Sequence, residues 1–297
     1  MDVTTGKLLE YRQLIKLPHT KVVWLRSGAN EFGRLAQGLK SRKIQGTNTI
    51  RFINRKKVPR HKKVTYGRFV CSIRPQKAER ERTRLTVGGN LIDYTGPANA
   101  PTADLTTYKI HINGTLSTPG ARQLCLDIMN YYLGTLLPSP EYMKIHISLI
   151  PQEIINEYNL LELVDEEGFV FIEILKGMYG LPQSGRLAND KLARTLAPHG
   201  YYQARHTQGL WLHQTLPIRF LLVADDFAIH YTKREHVEQL IKILQDNYEG
   251  ITIDWQAKLY IGIQVEWDYQ QHTATLSMPT YIPKLLEKHQ HPKPLKP

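Results

Sequence analysis

From Arg219 to Tyr231 the chain reads Arg-Phe-Leu-Leu-Val-Ala-Asp-Asp-Phe-Ala-Ile-His-Tyr, two apolar, β-rich runs that meet at adjacent carboxylates. Branched and aromatic residues on both sides predict strands rather than a helix, and an Asp-Asp step suits the turn between them. The plain reading of such a pair is a solvated turn. Long apolar arms argue for more, because they anchor the tip at the edge of a core, where two like charges need a counter-charge. A divalent cation is the usual one, and hard cations take oxygen ligands that they share with substrate phosphates. A third carboxylate from a distant strand is therefore expected, and Asp127, at the end of the apolar run Gln123 to Ile128, supplies it.

A chain of 297 residues that is 41% hydrophobic can bury a sizeable core, as one large domain or two smaller ones. Met1 to Lys7 lacks the basic-then-apolar order of a signal peptide, and no apolar run approaches the length of a membrane span, so an intracellular protein without a membrane partner is expected. Cys71 and Cys125 are the two cysteines, with no zinc-type spacing around them, and they read as plain buried thiols. The formal charge of +12 is concentrated: Lys40 to Arg84 holds 16 Lys and Arg against Glu79 and Glu81. A one-signed block of this length points to a polyanionic partner, nucleic acid rather than membrane because no amphipathic helical stripe runs through it. A disordered basic linker is the competing reading.

In chain order, residues 1 to about 35 read as an arm and a helix anchored by Trp24, Leu25, Phe32 and Leu35. Within the basic segment, Asn48 to Ile53 and Val64 to Ile73 have strand composition around a Lys56-Lys57…Lys62-Lys63 connection, which predicts a basic β-hairpin, with Arg82 to Val87 as a third strand. A loose helix is expected from Asp104 to Leu116, strands at Glu141 to Leu149 and Gly168 to Leu175, and a helix from Gln183 to Leu196. Beyond the acidic hairpin, Val237, Leu240, Ile241 and Leu244 recur at helical spacing. Strands are then expected over Lys258 to Trp267 and Thr273 to Ser277, and a short helix over Tyr281 to Lys288. The sequence strand, helix, strand-turn-strand, helix, strand predicts an α+β fold of split βαβ type, an antiparallel sheet with helices on one face.

At this point the residues resemble the reverse transcriptase segment of a copia-like LTR retrotransposon Pol polyprotein, over nearly the whole chain. Cys125 to Leu133 is similar to the family's first catalytic block, an Asp followed five residues later by an aromatic. Lys176-Gly177-Met178-Tyr179-Gly180-Leu181-Pro182-Gln183 resembles its Tyr-Gly-Leu-x-Gln block, and Leu222-Val223-Ala224-Asp225-Asp226 its x-x-Asp-Asp hairpin. Tyr260-Ile261-Gly262-Ile263 occupies the place of the primer-grip turn, and Arg84 to Val87 that of the fingers strand. The early Trp24 and Asn30-Glu31 resemble the helix before the fingers. Two departures stand out: Val223 replaces the common Tyr or Phe, and no ribonuclease H segment follows the thumb-like helix.

The resemblance implies a right-hand polymerase: an N-terminal arm and helix over 1–37, basic β-rich fingers over 38–121 with a fingers helix region near 176–200, a ferredoxin-like palm over 122–278 and a truncated thumb over 279–297. It implies RNA-directed DNA synthesis with Mg²⁺ or Mn²⁺ held by Asp127, Asp225 and Asp226. Arg84, and more weakly Lys77, would meet the triphosphate, Gln183 the sugar end, and Tyr132 would exclude ribonucleotides. Ile261 and Gly262 would form the primer grip, while Lys56, Lys57, Lys62 and Lys63 would bind nucleic acid. The implied partners are RNA and DNA template-primer, deoxynucleoside triphosphates and other Pol segments such as ribonuclease H and integrase, in a cytoplasmic particle or the nucleus. The alternative is a catalytically inactive, nucleic-acid-binding relic of such a polyprotein. A different Mg²⁺ phosphotransferase lacks support, because no phosphate-cradling loop with Lys and Ser/Thr is present.

Overall fold

A computed structural model describes residues 9–74, 78–289 and 291. The chain divides into two compact units, Met1–Asn99 with Tyr132–Ala188, and Ala100–Tyr131 with Asn189–Pro297.

The first unit is built on a five-stranded sheet in the order Ile50–Ile53, Phe169–Lys176, Leu136–His146, Val64–Ile73, Glu81–Val87. All neighbours are antiparallel except Leu136–His146 with Val64–Ile73, which run parallel. The helix Pro18–Leu35 opens with Pro at its first turn, where a missing N–H costs nothing. It inserts Phe32 and Leu35 into a core with Ile50, Leu85, Met143, Ile172 and Ile174. The same helix seals the sheet's outer strand: Ser27 Oγ accepts from the Thr83 N–H at 2.7 Å, and Glu31 Oε1 from the Leu85 N–H at 3.1 Å. Residues i and i+4 on a helix thus match i and i+2 on a strand, which satisfies edge donors that would otherwise recruit another strand.

The basic hairpin expected from Asn48 to Ile73 does not form as such. Ile50–Ile53 pairs with Phe169–Lys176, and Val64–Ile73 pairs with Glu81–Val87 on one side and Leu136–His146 on the other. The physical reason is burial. Phe169–Lys176 carries Val170, Ile172 and Ile174 fully buried, and this longer apolar strand takes an interior position beside Ile50.

The second unit contains a six-stranded antiparallel sheet in the order Ile251–Asp254, Arg122–Ile128, Asp226–Tyr231, Ile218–Val223, Leu210–His213, Tyr201–Gln203. Along the chain, Arg122–Ile128 is followed by the helix Ser184–Leu196, the hairpin Ile218–Val223/Asp226–Tyr231, the helix Arg234–Asn247 and the strand Ile251–Asp254. Numbered in that sequence, the four strands lie in the spatial order 4-1-3-2, which is the split βαβ arrangement expected. The helix Leu105–Leu116, capped by Asp104, lies outside this repeat; its Tyr108, Ile112 and Leu116 pack with Cys125, Leu221 and Ala228 on one face of the sheet. Strand alternation turns Leu124, Leu126, Phe227 and Ile229 to the other face, where they are buried.

Two strand expectations change here. The closing strand of the repeat is Ile251–Asp254, which the sequence reading missed because four residues between polar turns carry little alternation. The run Lys258 to Trp267 is instead broken by a turn into Leu259–Tyr260 and Ile263–Asp268, which join Thr273–Ser277 in a separate three-stranded sheet. Among the described residues no helix is long and apolar enough to cross a membrane. Cys125 is buried and Cys71 half-buried, and both are free.

Candidate active site

The acidic hairpin closes with Val223 paired to Asp226, so Ala224 and Asp225 are its two loop residues. Ala224 has φ of +56° and Asp225 has no positive φ, the sign pattern of a type II′ turn. A left-handed alanine costs of order 1 kcal/mol or more, so the flanking ladder holds the tip in a strained conformation. The ladder also fixes the acids. Asp226 is the register partner of Asp127, and the Ile128 N–H donates to the Asp225 carbonyl at 3.2 Å. Directly opposed residues of an antiparallel pair point to the same face, so Asp127 and Asp226 share one side of the sheet.

The carboxyl of Asp226 is pushed up to about 6, first by burial and then by the charges of Asp225 and Asp127. Three half-buried acids that repel one another favour a cation. Among the described residues, no three His, Cys, Asp or Glu side chains are grouped to hold one ion between them. Mg²⁺ usually takes only one or two carboxylates together with substrate phosphates, and the opposed pair Asp127 and Asp226 fits that smaller demand.

The turn at Ile261 and Gly262 belongs to the same unit. Both residues have positive φ, +46° and +83°, which is the two-residue type I′ connection between Tyr260 and Ile263. Glycine adopts this freely, whereas a β-branched Ile there is an outlier held by its surroundings. Tyr260 beneath it is 2% exposed, and its hydroxyl finds no hydrogen-bond partner among the described residues. Burial raises that hydroxyl's pKa, and the neighbouring Cys125 and Asp226 raise it further, which sets the hairpin's base in the field of the acidic pair.

In the first unit, Arg84 and Tyr132 are brought together through a residue the sequence reading had not assigned a role. The Arg84 guanidinium lies 4.9 Å above the ring of Tyr179, and Tyr132 meets the same ring edge to face at 5.6 Å. Gly180 explains the position of Tyr179: at φ +95° it lies against the Val87 backbone where a Cβ would clash, and the Val87 N–H donates to the Tyr179 carbonyl at 2.8 Å. The Tyr-Gly step is the signal that could have found it. Gln183, just before the helix Ser184–Leu196, is buried, and its Oε1 has no partner among the described residues. Tyr131, by contrast with its half-buried neighbour Tyr132, is buried and packs near Tyr248. Lys77 lies outside the described residues.

The four lysines divide. Lys56 and Lys57 are exposed on a 3-10 turn, whereas Lys62 pairs with Glu141 at 3.2 Å and Lys63 with Asp93 at 2.8 Å. Elsewhere in the basic block, Arg42 pairs with Glu153, Arg55 with Asp165, and Arg82 with Glu31 and Glu79. Acids distant in sequence therefore offset much of the charge that the block shows when counted alone.

No protein-family model matches the sequence, and no curated protein matches it. Among solved structures, telomerase from Candida albicans, in complex with a TWJ fragment of telomeric RNA, aligns with a TM-score of 0.44 and 10% identity over 83% of this chain. The chain covers 49% of that protein.

Proposed function

We propose that this chain is an RNA-directed DNA polymerase of retrotransposon type, joining a nucleotide to a primer 3′-hydroxyl. The observation that carries the reading is the register pairing of Asp226 with Asp127, with Asp225 at the adjoining turn, on a split βαβ sheet. In this reading the second unit's sheet, with Arg122–Ile128, the acidic hairpin and Ile251–Asp254, serves as palm, the first unit as fingers, and 279–297 as the start of a thumb.

The opposed pair Asp127 and Asp226, with Asp225 at the adjoining turn to join them once substrate phosphates are bound, would hold Mg²⁺ or Mn²⁺, which would neutralise charge on the reacting phosphate oxygens and make the primer hydroxyl easier to deprotonate. Arg84 would donate paired hydrogen bonds to phosphate oxygens, and its place over Tyr179 positions the planar guanidinium for that task. The Tyr132 ring would lie against the sugar and leave no space for a 2′-hydroxyl. Gln183, with a buried acceptor left over, would contact the nucleotide. Ile261 and Gly262 would support the primer end, and Lys56 and Lys57 the template phosphates.

The test is extension of a DNA primer annealed to an RNA template, with four deoxynucleoside triphosphates and Mg²⁺ or Mn²⁺. Lengthened primer is the expected product. Retention of the duplex with no lengthening would make the chain a binding relic.

A further inference from the structure

At the end of the second unit's sheet away from its carboxylates lies a second cleft, of about 880 Å³, lined in part by Arg122, Tyr231, Trp255, Lys258, Trp267 and Tyr269. Arg122 and Tyr231 are register partners five positions along the strands that carry Asp127 and Asp226, roughly 17 Å away at the rise of an extended chain. Two of its four rings, Tyr269 and Trp255, carry a cation on one face. Trp267 and Tyr269 lie parallel, 3° apart with centroids at 5.2 Å, and the Arg122 guanidinium stands 4.2 Å over Tyr269. Trp255 carries Arg234 at 4.1 Å over its ring and meets Tyr231 at near right angles.

The walls are fixed by hydrogen bonds. Trp267 Nε1 donates to the Ala257 carbonyl at 3.1 Å, and the Tyr269 hydroxyl accepts from the Gln123 N–H at 3.2 Å. The Asp254 carboxylate accepts from the N–H groups of Gln256 and Lys258, at 3.0 and 2.7 Å, which sets the loop bearing Trp255 and Lys258. All four rings are half-buried; Trp267 and Tyr269 rest against the core around Tyr260 and Val265 and also line the cleft, whereas Trp255 and Tyr231 line it from the strand ends. Arg122 and Lys258 are exposed, against one lining carboxylate, Glu266.

We propose that this cleft binds single-stranded nucleic acid, with bases stacking on Trp255 and Trp267 and phosphates meeting Arg122 and Lys258. Flat aromatic faces interleaved with cations are what such a ligand uses, because every base has a π face and every linkage a negative charge. The positive rim matches a polyanion. The proposal goes beyond the polymerase reading and does not depend on it.

The experiment uses the full chain and an octamer of uridines carrying one 4-thiouridine, cross-linked by light and mapped by mass spectrometry. Adducts on the peptides containing Trp255 or Trp267 are expected. Trp255→Ala should weaken octamer binding about ten-fold, in line with the usual worth of one base stack, while Trp255→Phe, which keeps a ring, should lose much less. An abasic octamer should bind wild type and both variants alike. Adducts confined to residues 50–84, or a Trp255→Ala loss that is equal for abasic and base-bearing octamers, would overturn the proposal. An acidic peptide that displaces the cross-link, with no base dependence in the octamer, would overturn it in favour of a protein partner.

Discussion

Asp226 stands directly across the sheet ladder from Asp127, one residue beyond a turn in which Ala224 is held left-handed. Burial and the charges of Asp225 and Asp127 raise the carboxyl of Asp226, so its ionisation costs stability at neutral pH. Asp226→Asn should therefore stabilise the chain at pH 7.5 in the presence of a chelator, by of order 1–2 kcal/mol in urea unfolding. The same substitution should diminish the rise in Tm that millimolar Mn²⁺ gives the wild type. An unchanged response to Mn²⁺ would remove Asp226 from the ion site.

Acid should act through a different cluster. His230, 2% exposed, is the register partner of Arg219, and its Nδ1 lies 3.0 Å from Thr115 Oγ1. Burial, and then Arg219, pull it down to about 4 from an ordinary 6.5, and His111 beside it is lowered in the same direction by burial, Arg219 and His230. A depressed imidazole leaves the unfolded state holding more protons, so its contribution is complete above pH 6.5 and is lost as pH falls towards 4. The loss from His230 between pH 7 and pH 5 is about 2 kcal/mol. Asp226 and Glu31, both raised, titrate in the opposite sense, so the quantity to measure is the difference between wild type and His230→Asn across that interval. A difference independent of pH contradicts the assignment.

Glu31 links helix to strand through the Leu85 N–H and also pairs with Arg82 at 3.0 Å. Burial pushes its carboxyl up to about 7 although Arg34 and Arg84 oppose the shift. Glu31→Leu should cost about 2–4 kcal/mol, because it strands a buried N–H and removes a charge partner. Glu31→Gln keeps an acceptor for Leu85 and should cost less than half of that. Amide exchange at Leu85 should rise in the Leu variant; equal exchange in both variants would mean that the edge is sealed by packing alone.

The basic surface offers a test by salt. Among the described residues Lys56 and Lys57 are exposed with no acidic partner, while Lys62 and Lys63 pair with Glu141 and Asp93. Replacing Lys56 and Lys57 with Gln should lower the slope of log affinity against log salt for an RNA–DNA duplex by about 1 to 2, and replacing Lys62 should leave it nearly unchanged. The reverse order would show that the ion pairs yield to phosphate.

Much of this was legible in the amino-acid order. Long apolar arms around Asp225 and Asp226, the carboxylate ending Gln123 to Ile128, and the Val237-Leu240-Ile241-Leu244 stripe each follow from one local pattern, and their succession gives the split βαβ type, whereas its closing strand, Ile251–Asp254, is not legible and Lys258 to Trp267 goes to another sheet. Pairings between distant strands were not legible. Ile50–Ile53 reads as a partner for its neighbour Val64–Ile73, but Phe169–Lys176, more than a hundred residues on, is more apolar and takes that place. The same distance hid the acids: Glu141, Glu153 and Asp165 cannot be seen against Lys62, Arg42 and Arg55 by counting charge along one segment. Tyr179 is legible as part of the Tyr-Gly-Leu-x-Gln run, but its contact with Arg84 and Tyr132 depends on where Gly180 meets the Val87 backbone, which the order of residues does not announce.

The most direct test of the central claim is primer extension on an RNA template by wild type and by Asp127→Asn, with duplex binding measured in parallel. Asp127 is the register partner of Asp226, and asparagine keeps its size while removing its charge. The account predicts lengthened primer for wild type and a loss of at least about a thousand-fold in rate for Asp127→Asn, the scale on which electrostatic stabilisation of a reacting centre operates, with duplex affinity kept within about three-fold. Extension by Asp127→Asn at a rate close to wild type would contradict it.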